Sequence, residues 1–172
     1  MITAKQLPTA EYHSYYSPYI LSNADTNGIE ALEKGKVELV NFIAKLTQDE
    51  LSFAYAAKKW TIAQLILHII DTERIFTYRA LCLARAEKQP LPGFEQNDYA
   101  AIATAKDRTA DSLGREYTAV RESTLHLFRN LDNSALQQIG TVSGGPLSVR
   151  AVPFIISGHE RHHHGIIKER YL

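Results

Sequence analysis

The chain has 172 residues, enough for one domain with a substantial buried core. Nineteen lysines and arginines balance nineteen aspartates and glutamates, so there is no basic field to attract nucleic acid. A single cysteine, Cys82, excludes an intramolecular disulfide, and no apolar run approaches membrane-spanning length. No signal-peptide pattern opens the sequence, and a single domain over residues 1–172, soluble and cytoplasmic, is the expectation.

Residues 1–23 are expected to form an irregular N-terminal arm. Pro8 and Pro18 argue against one long helix there. Tyr12, Tyr15, Tyr16 and Tyr19 suit either packing of the arm on the body or the lining of a pocket mouth. His13 has no patterned partner and reads as solvent-facing. The first long helix is predicted from Asp25 or Thr26 to Leu46, on the stripe Ile29, Leu32, Val40, Ile43 and Leu46. Gly28 and Gly35 weaken it. Thr47 and Glu50 have capping-box spacing, which predicts a short helical turn before Trp60.

The second long helix, Ile62 to about Ala86, is the best marked. Thr61 and Gln64 form a capping-box pair, and Trp60 and Leu65 occupy the positions of a hydrophobic staple. Apolar residues wrap widely round its axis, which predicts burial against several neighbours. Gln64, His68, Asp71, Thr72, Ile75 and Arg79 make a partly polar seam within that surface. His68 is therefore either a hydrogen-bonded core histidine or a ligand. Cys82 reads as a buried thiol rather than a nucleophile.

Gln89-Pro-Leu-Pro-Gly-Phe94 breaks the helical pattern. A short helix is predicted within Asn97–Lys106, and a third long helix from about Thr109 to Leu131. Its face carries Leu113, Tyr117, Val120, Thr124, Leu127, Phe128 and Leu131, with His126 opposite and so discounted as a ligand. Asn133–Gly145 reads as a connection with a helical turn near Ala135, and Gly140–Pro146 fits a tight reversal. No strand is expected. Ser148 is expected to cap the fourth long helix, with Leu147 and Val152 as its staple and Pro153 tolerated in the first turn.

That last helix carries four of the seven histidines within six residues. At about 100° per residue, Val152, Ile155, Ile156, His159, His162, His163, Ile166 and Arg170 share one broad face. His159 and His163, one turn apart, continue the apolar stripe, and two such rings can close on one metal ion. A surface cluster, or core histidines satisfied by hydrogen bonds, is the competing reading. His162 falls at the edge of the face, and His164 points away and is expected to be exposed. Four long amphipathic helices predict an all-α four-helix bundle with short connecting helices and the irregular arm. His68, His159 and His163 all lie well inside such a bundle, where they can converge.

Several separated motifs occur in the order of one known family: Lys59-Trp-Thr-Ile-Ala-Gln-Leu-Ile-Leu-His68-Ile-Ile-Asp71-Thr-Glu73-Arg74, Leu91-Pro-Gly-Phe94, Leu147-Ser-Val-Arg-Ala151, Gly158-His159-Glu-Arg-His-His163 and the ending Ile167-Lys-Glu-Arg-Tyr171-Leu172. Over nearly its whole length the chain resembles the DinB-like superfamily, which includes bacillithiol transferases and mycothiol-dependent isomerases. The resemblance implies a bundle holding one divalent metal ion, zinc or nickel most often, on His68, His159 and His163. It implies a small-molecule substrate, such as a low-molecular-weight thiol, and a homodimer; it does not imply DNA binding. The expected chemistry is metal-dependent thiol transfer or hydrolysis, with a non-catalytic small-molecule or metal-sensing bundle as the alternative. Asp71 and Glu160 are each expected either to orient a ligand imidazole or to form a structural salt bridge, and no general base stands out.

Overall fold

The computed structural model describes residues 2–172. The arm is more ordered than its prolines suggest. Three 3₁₀ turns, Ala4–Gln6, Thr9–Glu11 and Ser14–Tyr16, lead into a short helix α1, Ser17–Leu21, with Pro18 in its first turn. That position suits proline, because the missing N–H would have no helical partner there. Ile20 is fully buried, and Glu11 pairs with Arg150, so the arm is fastened to the body at its middle and near its end.

Helix α2, Gly28–Ile43, starts later than expected, because Asn27 rather than Asp25 or Thr26 caps it. Its side-chain oxygen accepts from the N–H groups of Ile29 and Glu30, both at 3.1 Å, and Glu30 answers with a bond from the Asn27 N–H. The capping boxes at Thr47 and Thr61 open α3, Gln48–Ser52, and α4, Ile62–Ala84, as the spacing predicts. Helix α5, Gln96–Ile102, follows the proline-rich break, then α6, Ala110–Arg129, capped by Thr109, and α7, Asn133–Leu136.

The expectation of no strand fails next. Strands β1, Ile139–Val142, and β2, Gly145–Ser148, form an antiparallel hairpin with Val142 opposite Gly145. Ser143 and Gly144 both take positive φ, 51° and 82°, as a two-residue primed turn requires. Four-residue strands containing glycine and proline have too little alternation to be read locally. They are held by their surroundings, with Leu91 pairing alongside Val142. Ser148 caps a 3₁₀ turn, Val149–Ala151, rather than the helix itself, and α8, Val152–Arg170, continues directly from it.

Helices α2 and α4 each pack against both α6 and α8. The chain-consecutive pairs α2/α4 and α6/α8 therefore lie across the diagonals of the bundle, whereas α4 and α8 are side by side. The apolar core falls into two clusters. One gathers Leu32, Phe76, Leu83, Leu125, Phe128 and the start of α8 with the arm and hairpin; the other gathers Leu39, Ile43, Ile62 to Ile70, Leu113 and Ile167. Between the two, each long helix contributes a non-apolar position: Gly35, Glu73, Arg121 and Glu160.

Candidate metal centre

His68 lies two turns into α4, and His159 and His163 are one turn apart on α8. The adjacency of the two helices brings the three rings together. The Nε2 atoms of His68 and His159 are 3.0 Å apart. Ring centroids lie 4.8 Å apart for His68 with each of the other two, and 4.5 Å for His159 with His163. One nitrogen from each ring falls within 4.8 Å of the other two. Ligands of a tetrahedral zinc ion stand about 3.3 Å from one another, so shortening the widest separation by about 1.5 Å would bring all three onto one ion. The donor set fits such a group in a further respect: Nδ1 of His163 is buried with no hydrogen-bond partner, a costly state that a cation in the cluster could relieve.

The rings are held neutral, as ligation requires. Burial pulls His68 down to about 4, with Thr72 Oγ1 at 3.5 Å from its Nδ1. Burial, then the neighbouring His68 and His162, takes His163 to about 3. His159 is held well below its ordinary value by burial first and by His163, His68 and His162 after it.

A cavity of about 410 Å³ reaches His159. The arm supplies Tyr15, Tyr16 and Tyr19 to its wall, and α4 supplies Thr72, Phe76 and Arg79. Tyr19 packs edge-on against His159, with centroids 5.6 Å apart, and burial pushes its phenol up to about 12, so it stays protonated. Trp60 closes over the other side of His68 at 5.0 Å. The tyrosine-rich arm therefore both packs on the body and lines a pocket.

The remaining candidates separate cleanly. Asp71 pairs with Arg74 at 3.1 Å. Glu160 bonds Arg121 and accepts from Tyr117 Oη at 2.6 Å. Both follow the salt-bridge reading, and neither reaches a ring of the cluster. His126 is exposed. His162 is exposed but packs edge-on against Tyr19 and His163, outside the cavity lining. His164 departs from expectation: it is half-buried, 4.5 Å from the Phe42 ring, with Nε2 unpartnered. His13 is exposed, yet it lines the cavity and accepts the Tyr15 N–H at Nδ1. Cys82 is only half-buried.

Arg121 is the residue the sequence hid. It is fully buried and bonds Glu73 through Nε and Nη2 at 2.8 and 2.9 Å, the Leu32 carbonyl at 2.8 Å, and Glu160. Burial pulls its pKa down, but Glu73 and Glu160 outweigh that and the net shift is upward. Burial raises Glu160, against the pull of Arg121 and Tyr117. The network ties α2, α4, α6 and α8 together one residue from His159. Its only sequence signal was the spacing that puts Arg121 one turn from both Tyr117 and Thr124 on the buried face.

Fold and site together define a four-helix bundle with a buried three-histidine cluster between adjacent helices. The DinB superfamily pattern matches residues 31–167, and the chain belongs to that family. A curated relative from Oceanobacillus iheyensis, named "putative metal-dependent hydrolase", is 30% identical over 132 residues, 73% of each chain. Two solved structures share the fold. YfiT from Bacillus subtilis, described as "a probable metal-dependent hydrolase with an unusual four-helix bundle topology", has a TM-score of 0.71 at 16% identity, covering 83% of this chain and 82% of its own. The mycothiol-dependent maleylpyruvate isomerase has a TM-score of 0.68 at 15% identity over 95% of this chain and 62% of that one. Among the described residues, no helix is long and apolar enough to cross a membrane.

Proposed function

We propose that the protein is a divalent-metal-dependent hydrolase of a small molecule, with His68, His159 and His163 holding one zinc or nickel ion. The observation that carries this reading is the convergence of three neutral imidazoles, two buried and that of His163 half-buried, beside a cavity of about 410 Å³. A divalent ion held by these three neutral ligands would keep its full charge, and would so lower the pKa of a water or thiol and polarise a carbonyl. The protein's part is positioning. Tyr19 and Trp60 pack against the rings of His159 and His68, and Thr72 Oγ1 sits beside Nδ1 of His68. In the reaction, a water oxygen bonds to the acyl carbon as the bond to the leaving oxygen or nitrogen breaks, and the water's proton ends on the leaving atom. The name carried by the Oceanobacillus protein supports hydrolysis.

The test loads the protein with Zn²⁺ or Ni²⁺ and measures turnover of an ester and amide panel beside a panel of thiols with electrophilic acceptors. Ester or amide turnover that His68→Ala abolishes is the expected result. Thiol conjugation in place of hydrolysis would reassign the reaction to transfer. Rates equal to those of the His68→Ala protein in both panels would leave the sensing reading.

A further inference from the structure

Two arginines of the chain are buried, and they are satisfied very differently. Arg121 has two carboxylates. Arg79, 3% exposed, has none among the described residues. Its Nη2 donates to the Pro92 carbonyl at 2.9 Å and Ser143 Oγ at 3.2 Å. Its guanidinium carbon lies 5.0 Å from the Phe76 ring and 5.7 Å from the Phe94 ring. Tyr16, which also hydrogen-bonds the guanidinium, offers a neutral phenol and no anion, and Arg79 lines the same cavity as His159. A guanidinium carries five N–H donors and does not discharge by deprotonation. A buried cation lacking an anion is costly, and here that cation lines a binding space.

We propose that Arg79 anchors a carboxylate on the substrate, so that the hydrolase takes small esters or amides carrying a free carboxylate at one end. This rests on the hydrolytic reading of the three-histidine site. His68 and Arg79 are eleven residues apart on α4, about 16 Å along its axis. Eleven residues at about 100° each put both side chains on the same side of the helix, and Arg79 and His159 line one cavity. Phe76, Phe94 and Tyr16 supply the apolar wall between them. A monoanion fits better than a phosphate dianion, because the lining contains no lysine and no second arginine. The planar fork also matches a carboxylate in two-point contact. Glu95, the one carboxylate of the lining, is taken up by the Asn97 N–H at 3.0 Å and forms no ion pair with Arg79.

The experiment begins with metal-stripped wild-type protein, so that no carboxylate can bind through a metal. Phenylacetate and its neutral counterpart phenylacetamide are titrated at pH 7.5 by ligand-observed NMR. Phenylacetate should bind roughly tenfold or more tightly, a margin that shrinks with added chloride. Arg79→Gln should erase the discrimination and Arg79→Lys should restore part of it, each checked for a cooperative melt. A merely structural Arg79, clamping Pro92 and Ser143, would leave wild-type affinities for the two probes equal, and that result overturns the proposal whether or not the variants fold. The metal-loaded protein is then given monomethyl succinate and methyl succinamate, where higher kcat/KM for the anionic ester is expected. Carboxylate binding without turnover of either ester would sink the hydrolase reading and keep the anion site. Turnover of both esters at equal kcat/KM, with no probe discrimination, would do the reverse.

Discussion

The Nε2 atoms of His68 and His159 stand 3.0 Å apart across the α4–α8 interface, with His163 completing the triangle. At that distance one proton, or one cation, can sit between the two lone pairs, but two protons cannot. The folded pKa values of His68 and His163, about 4 and about 3, lie below the ordinary 6.5, chiefly through burial. The unfolded chain therefore takes up protons first as pH falls. Stability is full above pH 6.5 and declines as pH drops through the folded values. For His68 alone the total loss is on the order of 3 kcal/mol. Thermal melts of the metal-free protein between pH 7.5 and 4.5 should show a falling Tm, and His68→Gln should flatten part of that slope. A Tm independent of pH across this range would contradict the burial argument.

Metal binding should discriminate among the clustered histidines. His163→Ala removes one of three donors and is expected to abolish stoichiometric zinc retention after dialysis. His126→Ala, on the exposed face of α6, should leave it unchanged. His164→Ala should also retain the ion, because that ring lies against Phe42, away from the cluster. Elemental analysis of the three proteins settles the assignment, and metal lost from the His164 variant but kept by the His163 variant would reverse it.

What could be read from the chain was what is encoded locally. The boxes Thr47/Glu50 and Thr61/Gln64 are satisfied within four residues, and the bonds they predict are present. The angular phase of α8 likewise put His159 and His163 on the inner face. Arg121 was illegible because an arginine on a helix is ordinarily solvated; only Glu73 and Glu160, on two other helices, explain its burial. The reversal at Gly140–Pro146 was legible, but its strands and the half-burial of His164 were missed for the same reason: Leu91 and Phe42 make those contacts from elsewhere in the chain.

The buried network makes a stability prediction of its own. Arg121→Met leaves Glu73 and Glu160 without their cation in the middle of the bundle, which should cost about 3–5 kcal/mol by urea unfolding. Adding Glu73→Leu and Glu160→Gln should recover a large part of that loss, since burying neutral groups of similar size removes the desolvation penalty. Additive losses across the triple variant would mean the three residues do not act as one unit. Gly35 reports on the same place: a Cβ there would fall 2.2 Å from Glu160 Oε1, so Gly35→Ala should destabilise despite its better helix propensity.

The same substitution at two glycines of α8 should have opposite signs. A Cβ on Gly158 would lie 2.0 Å from the Tyr19 carbonyl oxygen and 2.6 Å from its Cα. Those are backbone atoms, so α1 itself must move. That movement would strain the bonds from Asn23 Nδ2 to the Phe154 carbonyl and from Ser157 Oγ to Asn23 Oδ1, both 3.1 Å, and would withdraw Tyr19 from His159. Gly158→Ala should therefore lower stability by about 1–3 kcal/mol, as overpacking does, and speed amide exchange in residues 17–23. Gly165 sits in the same helix with nothing within 4 Å of its would-be Cβ. There Gly165→Ala only restricts the unfolded chain and should raise stability by roughly 0.5–1 kcal/mol. Urea midpoints for the two variants measure both effects. A Gly158→Ala protein as stable as wild type, with unchanged exchange in α1, would show that α1 does not rest on α8 through that glycine.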